Sequence, residues 1–340
     1  MDYQQLLTRL KEILQQRLPE GQNHARQLSE ILGVKPHSVY RKLSGEIQFS
    51  VDDLVKISGA LSIPLGTLLD DYSCVVSHPM ELILMDNMAK EKGYTSAMET
   101  TQAIFGQAGK TGNAKFMAIC KNLPVISYYY YDWLMKFAHL KWLYFNNGCS
   151  VMPSLSETVC PDPFMKAKDI YVESFNSIRR LIFVVDGDLV RNFTMDLDFF
   201  RKMGFVTAAE MLLVLEDMRS LLMEIQSICQ TGLSYVSGQE IQVFYSDIPL
   251  YNDIYLIESS TINRGIFYAQ GFNPIIHREP QTLEIFRKWV NAWVSCSNPI
   301  CGTSEPDCRT FFKKQHRIIE EYRNSLAWVE FFGSRQRGRK

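Results

Sequence analysis

The chain has 340 residues, of which 46% are hydrophobic and 21% are charged, and its formal net charge is -1. This composition is typical of a globular protein with a buried core, and the length fits two domains at about 100–200 residues each. A net charge near zero excludes a general attraction to nucleic acids or anionic membranes, so any DNA contact must come from a local basic patch.

The N-terminus and the cysteines predict a cytoplasmic protein. Asp2 stands where an export signal would carry basic residues before an apolar run. Without export, the eight cysteines are best interpreted as reduced thiols. The most apolar stretch, Leu123 to Leu143, is interrupted by Asp132, Lys136, His139 and Lys141 and falls short of the ~20 apolar residues that span a bilayer. We therefore expect no membrane partner.

Apolar periodicity predicts five short helices in the first seventy residues. Their apolar stripes run from Leu6 to Leu18, Ala25 to Leu32, Val39 to Leu43, Leu54 to Leu61 and Leu65 to Leu69.

The junctions between these helices carry start and stop signals. Gly33 follows the second stripe, and glycine tolerates the positive φ of a tight turn. Pro36 suits the first turn of the third helix because its missing N–H would have had no partner there. Ser50 and Asp53 have the spacing of a capping box, with aspartate in place of Glu or Gln.

The segment from Ala25 to Glu46 resembles the helix-turn-helix of the lambda-repressor/Cro family. That family's core anchors and turn glycine match Leu28, Leu32, Gly33, Val34 and Val39. The resemblance departs at Lys42, where many members carry an apolar residue, and Leu43 can serve in its place. It covers about a fifth of the chain and implies a five-helix DNA-binding domain over residues 1–72.

The resemblance implies that the third helix, about residues 35–44, enters the major groove of double-stranded DNA. Its outward positions are then expected to contact bases or phosphates, with Lys42 near the DNA backbone: Lys35, His37, Ser38, Tyr40, Arg41, Lys42 and Ser44. Gln22 and Asn23 would hold a phosphate at the start of the second helix.

Local charge supports this hypothesis modestly. Residues 1–70 contain eight basic and eight acidic side chains, whereas the run from Lys35 to Gly45 has three basic residues and no acidic one. The alternative is a helical protein-interaction domain with a basic, solvated face.

The rest of the chain predicts a larger helical and α+β region. Residues 79–232 carry mainly helical patterns, including Met80 to Lys90, an aromatic block from Tyr128 to Phe145, and Met211 to Ile228. Two further helices, Thr282 to Ser295 and Thr310 to Ala327, are predicted near the end of the chain. Residues 233–330 contain three β-rich runs typical of a small antiparallel meander and can belong to the same C-terminal domain. A basic tail covers 331–340. The expected fold is thus mainly α with a small antiparallel β portion. This region resembles the companion part of long bacterial regulators of the same group, which implies no particular ligand.

No catalytic, cofactor or metal site emerges from the sequence. Gly106 to Asn113 lacks the spacing of a phosphate-binding loop and is better explained as a turn. Cys296, Cys301, Cys308 and His316 lack a C-x-x-C pair, so zinc is disfavoured, and a redox-sensing thiol stays open. Asp186 and Asp188 fit a helix-to-helix turn. The aromatic block is mostly core, with a ligand pocket as the alternative.

Together these features predict a bacterial, homodimeric transcription regulator that is not an enzyme and whose C-terminal region dimerises, senses a small-molecule or peptide effector, or both. The alternatives are a DNA-binding accessory factor of a mobile element and an enzyme fused to a helix-turn-helix.

Overall fold

The computed structural model describes residues 3–17, 24–61, 80–82, 92–146, 152–234, 237–269, 273–301 and 305–337. The chain divides into two compact units, Met1–Pro79 and Met80–Lys340. In these described ranges, no helix is long and apolar enough to cross a membrane.

The first unit consists of short helices around one apolar cluster. They are α1 (Tyr3–Arg17), α2 (His24–Leu32), α3 (Pro36–Leu43) and α4 (Val51–Leu61). Each contributes a completely buried side chain to the cluster, namely Leu10, Leu28, Val39 and Ile57. The first four predicted helices are therefore confirmed, whereas the fifth, at Leu65 to Leu69, lies outside the described residues.

The second unit is built on one mixed sheet. Its strands are β1 (Met80–Leu82), β2 (Lys115–Cys120), β3 (Arg180–Asp186), β4 (Glu240–Ser246), β5 (Ile254–Glu258), β6 (Asn263–Ala269), β7 (Asn273–His277) and β8 (Asn298–Pro299). Across the sheet they follow the order β1-β7-β6-β5-β2-β3-β4-β8, counting the strands that the structure describes. The β2–β3 and β3–β4 pairs are parallel, and the other pairs are antiparallel.

Helical crossovers connect the parallel strands, as parallel pairing requires. Helix α5 (Lys92–Gly109) leads into β2. The β2–β3 crossover contains α6 (Val125–Tyr128), α7 (Asp132–Asn146) and α8 (Asp162–Asn176), and the β3–β4 crossover contains α9 (Leu189–Lys202) and α10 (Ala208–Thr231). A reciprocal capping box between Thr207 and Glu210 starts α10, and Gly232, with φ of 71°, ends it.

Both faces of the central strands are covered. Along β2, Phe116, Ala118 and Cys120 belong to the larger core, while Met117 and Ile119 belong to a smaller core on the opposite face. Helix α11 (Pro280–Cys296) covers the smaller core, and helix α12 (Glu305–Arg337) packs with α9 and α10 on the larger one. The sheet is therefore a central layer between two helical layers.

The sheet corrects the predicted fold class of the C-terminal region. The three β-rich runs after residue 233 do form strands, but they share one sheet with β2 and β3 from the part predicted to be helical. The β portion is accordingly larger than expected and partly parallel. Met80 to Leu82, predicted to start a helix, form strand β1, and residues 83–91 lie outside the described ranges.

Several local predictions agree with the structure. The late helices at Met211 to Ile228, Thr282 to Ser295 and Thr310 to Ala327 are contained in α10, α11 and α12. The aromatic block is divided between α6 and α7. Helix α12 continues to Arg337, so the predicted basic tail over 331–340 is helical as far as the structure describes it.

Two side chains, those of Asp186 and Gln315, occupy the space beyond the carboxyl end of β3. The carboxylate of Asp186 accepts the N–H groups of Asp188 and Leu250, both at 2.8 Å. Gln315 of α12 is completely buried; its amide donates to the carbonyl of Gly187 at 3.0 Å and accepts the N–H of Val190 at 3.1 Å. The segment from Asp186 to Asp188 is thus a strand-to-helix turn, not the predicted helix-to-helix turn.

Candidate nucleic-acid interface

Helices α2 and α3 are joined by a tight turn. Gly33 has φ of 69°, in the left-handed region that favours glycine. The N–H of Val34 donates to the carbonyl of Ser29 at 3.1 Å and closes the turn. Lys35 is extended, with φ of -67° and ψ of 146°, as expected for a residue that precedes proline. This confirms the predicted turn and the start of the third helix at Pro36.

The two faces of α3 differ in exposure. Val39 is completely buried and Leu43 packs against the apolar cluster, so this face fixes the helix to the unit. The opposite face presents polar side chains to solvent. Lys35, His37, Tyr40, Arg41 and Ser44 are exposed, and Ser38 is half-buried. Six of the seven residues predicted on this helix therefore lie on or beside one accessible surface, which we call the α3 surface.

Arg41 and Ser44 share an acidic partner on the α3 surface. The Arg41 Nε donates to the Glu46 carboxylate at 3.0 Å, and the Ser44 hydroxyl donates to it at 3.2 Å. These hydrogen bonds, led by the one from Arg41, lower the pKa of Glu46. Glu46 is not among the predicted contact residues. The positive φ of Gly45, 86°, folds the chain back and brings Glu46 beside Arg41.

Lys42 points into the unit and has an internal role. Its side chain is only 13% exposed, and its ammonium lies 2.7 Å from the Asp53 carboxylate and donates to the carbonyl of Gln48 at 3.1 Å. The same ammonium lies 5.5 Å from the ring centroid of Phe49. This arrangement differs from the predicted position near the DNA backbone, because the charge is already satisfied within the protein.

Asp53 connects that ion pair to the start of α4. Its carboxylate accepts the N–H of Ser50 at 2.8 Å, and its own N–H donates to the Ser50 hydroxyl at 3.1 Å, which confirms the predicted capping box. Burial raises the pKa of Asp53, but the hydrogen bonds from Lys42 and Ser50 outweigh it and hold the pKa below its ordinary value. The pair therefore joins the end of α3 to the start of α4.

The remaining predicted contacts, Gln22 and Asn23, lie outside the described residues. The described part of the chain brings together no three His, Cys, Asp or Glu side chains that could hold a metal ion. Cys296 is exposed and Cys308 is buried. Cys301 has a thiol neighbour that was not predicted, Cys229, whose hydrogen bond lowers the pKa of Cys301.

The glycine-rich segment near Gly109 has a structural role. The segment begins within the last turn of helix α5, whereas a phosphate-binding loop follows a strand. A Cβ atom at Gly109 would collide with the side chain of Ser177, so the close approach of these segments requires glycine.

Residues 2–122 match a family model described as the BetR domain, and the matched range continues beyond the first unit through β2. Neither the curated proteins nor the solved structures include a match to this sequence. The BetR domain is a family of helix-turn-helix DNA-binding domains, so the match fits the α2–turn–α3 geometry and suggests DNA as a partner of the N-terminal part of the chain.

Proposed function

We propose that this chain is a sequence-specific transcription regulator of the lambda-repressor/Cro type and that α3 reads the major groove. The observation that carries the proposal is the α2–Gly33–α3 arrangement, in which one face of α3 is anchored by Val39 and the other presents polar side chains to solvent. An anchored helix with a polar outer face is the recognition element of helix-turn-helix proteins.

The proposed contacts differ in what they recognise. Arg41 is the candidate base-reading residue, since a guanidinium can bond two acceptors of guanine at once. Lys35 is exposed at the N-terminus of α3 and is the candidate phosphate contact. His37, Ser38, Tyr40 and Ser44 complete the proposed contact set, with Gln22 and Asn23 at the start of α2. Lys42 is not part of it, because its ammonium bonds Asp53 and Gln48.

The Arg41–Glu46 pair does not prevent this function. Both side chains are well exposed, at 47% and 60%, and solvent-exposed pairs are weak and screened by salt. A bidentate contact with a base in the groove is stronger than such a pair. Arg41 can therefore exchange Glu46 for a base when the protein binds DNA.

The decisive experiment selects bound DNA in vitro with the full chain and then measures fluorescence anisotropy on the selected site and on random DNA. We expect Arg41→Ala to weaken binding to the selected site by roughly tenfold to a hundredfold and to relax preference at one base position. Lys56→Ala is the matched control, because Lys56 is an exposed cation on α4 paired with Asp52 at 2.7 Å. Equal loss on both DNAs would make Arg41 a phosphate contact, and failure to select any sequence would overturn the proposal.

We further propose that the regulator is a homodimer without catalytic activity. Two-fold dimers place recognition helices about 34 Å apart, one turn of DNA, and bind more tightly than one helix can. The second unit offers apolar surface on α11, where Ile285 and Trp289 are 39% and 49% exposed. Sedimentation of the full chain tests this: a monomer at micromolar concentration, with and without DNA, would exclude the dimer.

A further inference from the structure

A cavity of about 670 Å³ opens in the second unit where β2 ends and β5 begins. Because β5 is antiparallel to β2, Lys121 and Asn122 after one strand lie at the same sheet edge as Asp253 before the other. Cavities of roughly 300–1,000 Å³ are typical of small-molecule sites, and ligands of α/β sheets bind beyond the carboxyl ends of parallel strands.

The end of β2 contrasts with the end of β3. Beyond β3, the side chains of Asp186 and Gln315 occupy the space and satisfy the backbone groups. No side chain of the described residues fills the corresponding space beyond β2, since that space is the cavity itself. Aromatic rings form a large part of the wall, among them Tyr128, Phe137, Phe193, Phe200, Tyr255 and Tyr268.

The carboxylate and amide groups of the cavity lining offer acceptors, and two lysines and four tyrosines lie among them. One oxygen of the half-buried Asp253 carboxylate accepts the N–H of Lys121 at 2.9 Å. The Oδ1 atom of Asn122 is buried and has no hydrogen-bond partner among the described residues. Lys121 and Lys141 are the cations of the lining, and Lys141 is paired with Asp196. A ligand that brings donors would satisfy groups that the chain leaves incompletely paired.

The mouth of the cavity exposes large apolar side chains. Tyr251 is 80% exposed, Met195 66%, Phe199 43% and Phe145 42%, and all four belong to the cavity lining. Contiguous exposed apolar surface on a folded protein marks a place where something else binds. Rings inside and apolar side chains at the mouth favour a ligand with an aromatic body.

We propose that this cavity binds an arylalkyl amine, whose ammonium donates to the Asp253 carboxylate and to Asn122 Oδ1 and whose ring packs among the tyrosines and phenylalanines. Burial raises the pKa of Asp253 to about 6, although the Lys121 N–H and the charges of Lys141 and Lys121 oppose the shift. The carboxyl is therefore ionised at neutral pH and can accept a further cationic donor. Aromatic faces also attract cations, which adds to the preference for an amine. That this ligand is a regulatory effector rests on the proposed function, whereas the binding itself does not.

The test measures binding of tyramine and tryptamine to the full chain by calorimetry, against 4-ethylphenol and 3-ethylindole, which keep the ring and lack the amine. We expect the amines to bind more tightly than their neutral analogues. Asp253→Asn retains an acceptor for the Lys121 N–H, so we expect it to preserve the fold and weaken amine binding by about tenfold or more, with little effect on the neutral compounds. Asp169→Asn, at an exposed carboxylate on α8, is the matched control.

Each outcome decides the question. If the amines do not bind, or bind no better than the neutral analogues, the proposed amine site is wrong. Equal weakening of all four compounds by Asp253→Asn would assign it a structural role and likewise overturn the ammonium contact. Anisotropy of the selected DNA at saturating tyramine then tests regulation separately. Amine binding without DNA binding would overturn the proposed regulator and leave the amine site intact.

Discussion

Replacing Lys42 with methionine tests whether the internal pair at the end of α3 stabilises the first unit. The substitution keeps most of the side-chain volume but removes the ammonium from Asp53, whose side chain is 12% exposed. A hydrogen bond to a charged group contributes about 1.5–3 kcal/mol. The contact with Phe49 adds about 0.5–1 kcal/mol. Asp53 keeps its bonds to Ser50, so the loss stays below the ~3–5 kcal/mol of a fully buried broken pair. We expect the unit to lose about 2 kcal/mol.

Hydrogen exchange of the full chain, followed by mass spectrometry in peptides from α3 and α4, measures this loss locally. A loss of about 2 kcal/mol raises the opening constant roughly thirtyfold. Lys56→Met is the matched control because it removes an exposed cation from its pair with Asp52, and we expect no measurable change there. The pKa of Asp53 is lowered in the folded state, so the contribution is present above its unfolded value of about 3.8 and is lost as pH falls through the folded pKa. Equal exchange in both variants would refute a stabilising pair, and weaker DNA binding with unchanged exchange would make Lys42 the phosphate contact that the sequence predicted.

Three further substitutions test other parts of the structure. Gly33→Val is expected to destabilise the first unit by about 1–2 kcal/mol through backbone strain alone, because no atom lies within 4 Å of a Cβ there. Asparagine tolerates positive φ, so Gly33→Asn should lose less stability in the same hydrogen-exchange experiment. Burial lowers the pKa of His139 to about 4, so protonation of the unfolded chain below pH ~6.5 reduces the folding stability by up to about 3 kcal/mol as pH falls toward 4. In urea titrations, His139→Phe should lose less stability than the native chain over this pH range. An equal loss of stability in both proteins would contradict this. Gln315→Leu leaves the Val190 N–H and Gly187 carbonyl without partners and should destabilise the second unit by about 2–4 kcal/mol in urea unfolding, unlike Lys314→Leu beside it.

Helix periodicity was sufficient to predict the four described helices of the first unit because each is apolar on one side. Val39 and Leu43 mark the inner face of α3, and the turn glycine and the Ser50–Asp53 capping box have local spacing that the sequence displays directly. The role of Lys42 was not predictable in the same way. Whether a lysine on α3 points to solvent or to Asp53, eleven residues later, depends on how α3 and α4 pack.

The sequence did not predict the strands of the second unit that are covered on both faces. Residues 116–120 and 181–185 are continuous apolar runs, because alternate side chains enter the two cores. Such runs lack the alternation that identifies a half-exposed strand. The cavity was not predictable from the sequence either. It combines residues that follow β2 with residues that precede β5, about 130 positions apart, and only the sheet brings them together. The aromatic block was correctly predicted to be mostly core, yet several of its rings also line that cavity.

The hydrogen bonds between Gln315 and the turn after β3 limit the order in which the chain can fold during synthesis. In the first unit, the Tyr3 hydroxyl accepts the N–H of Phe49 only 46 positions away. The carbonyl of Gly187, in contrast, accepts a hydrogen bond from Gln315, which lies 128 positions later in the chain. At roughly 5–20 residues per second, the ribosome needs about 10–50 s to travel from the end of the first unit to that glutamine. The helix-turn-helix can thus be complete while the central sheet still lacks its last helical cover, and a nascent chain can carry a finished DNA-binding unit beside an exposed, unfinished core.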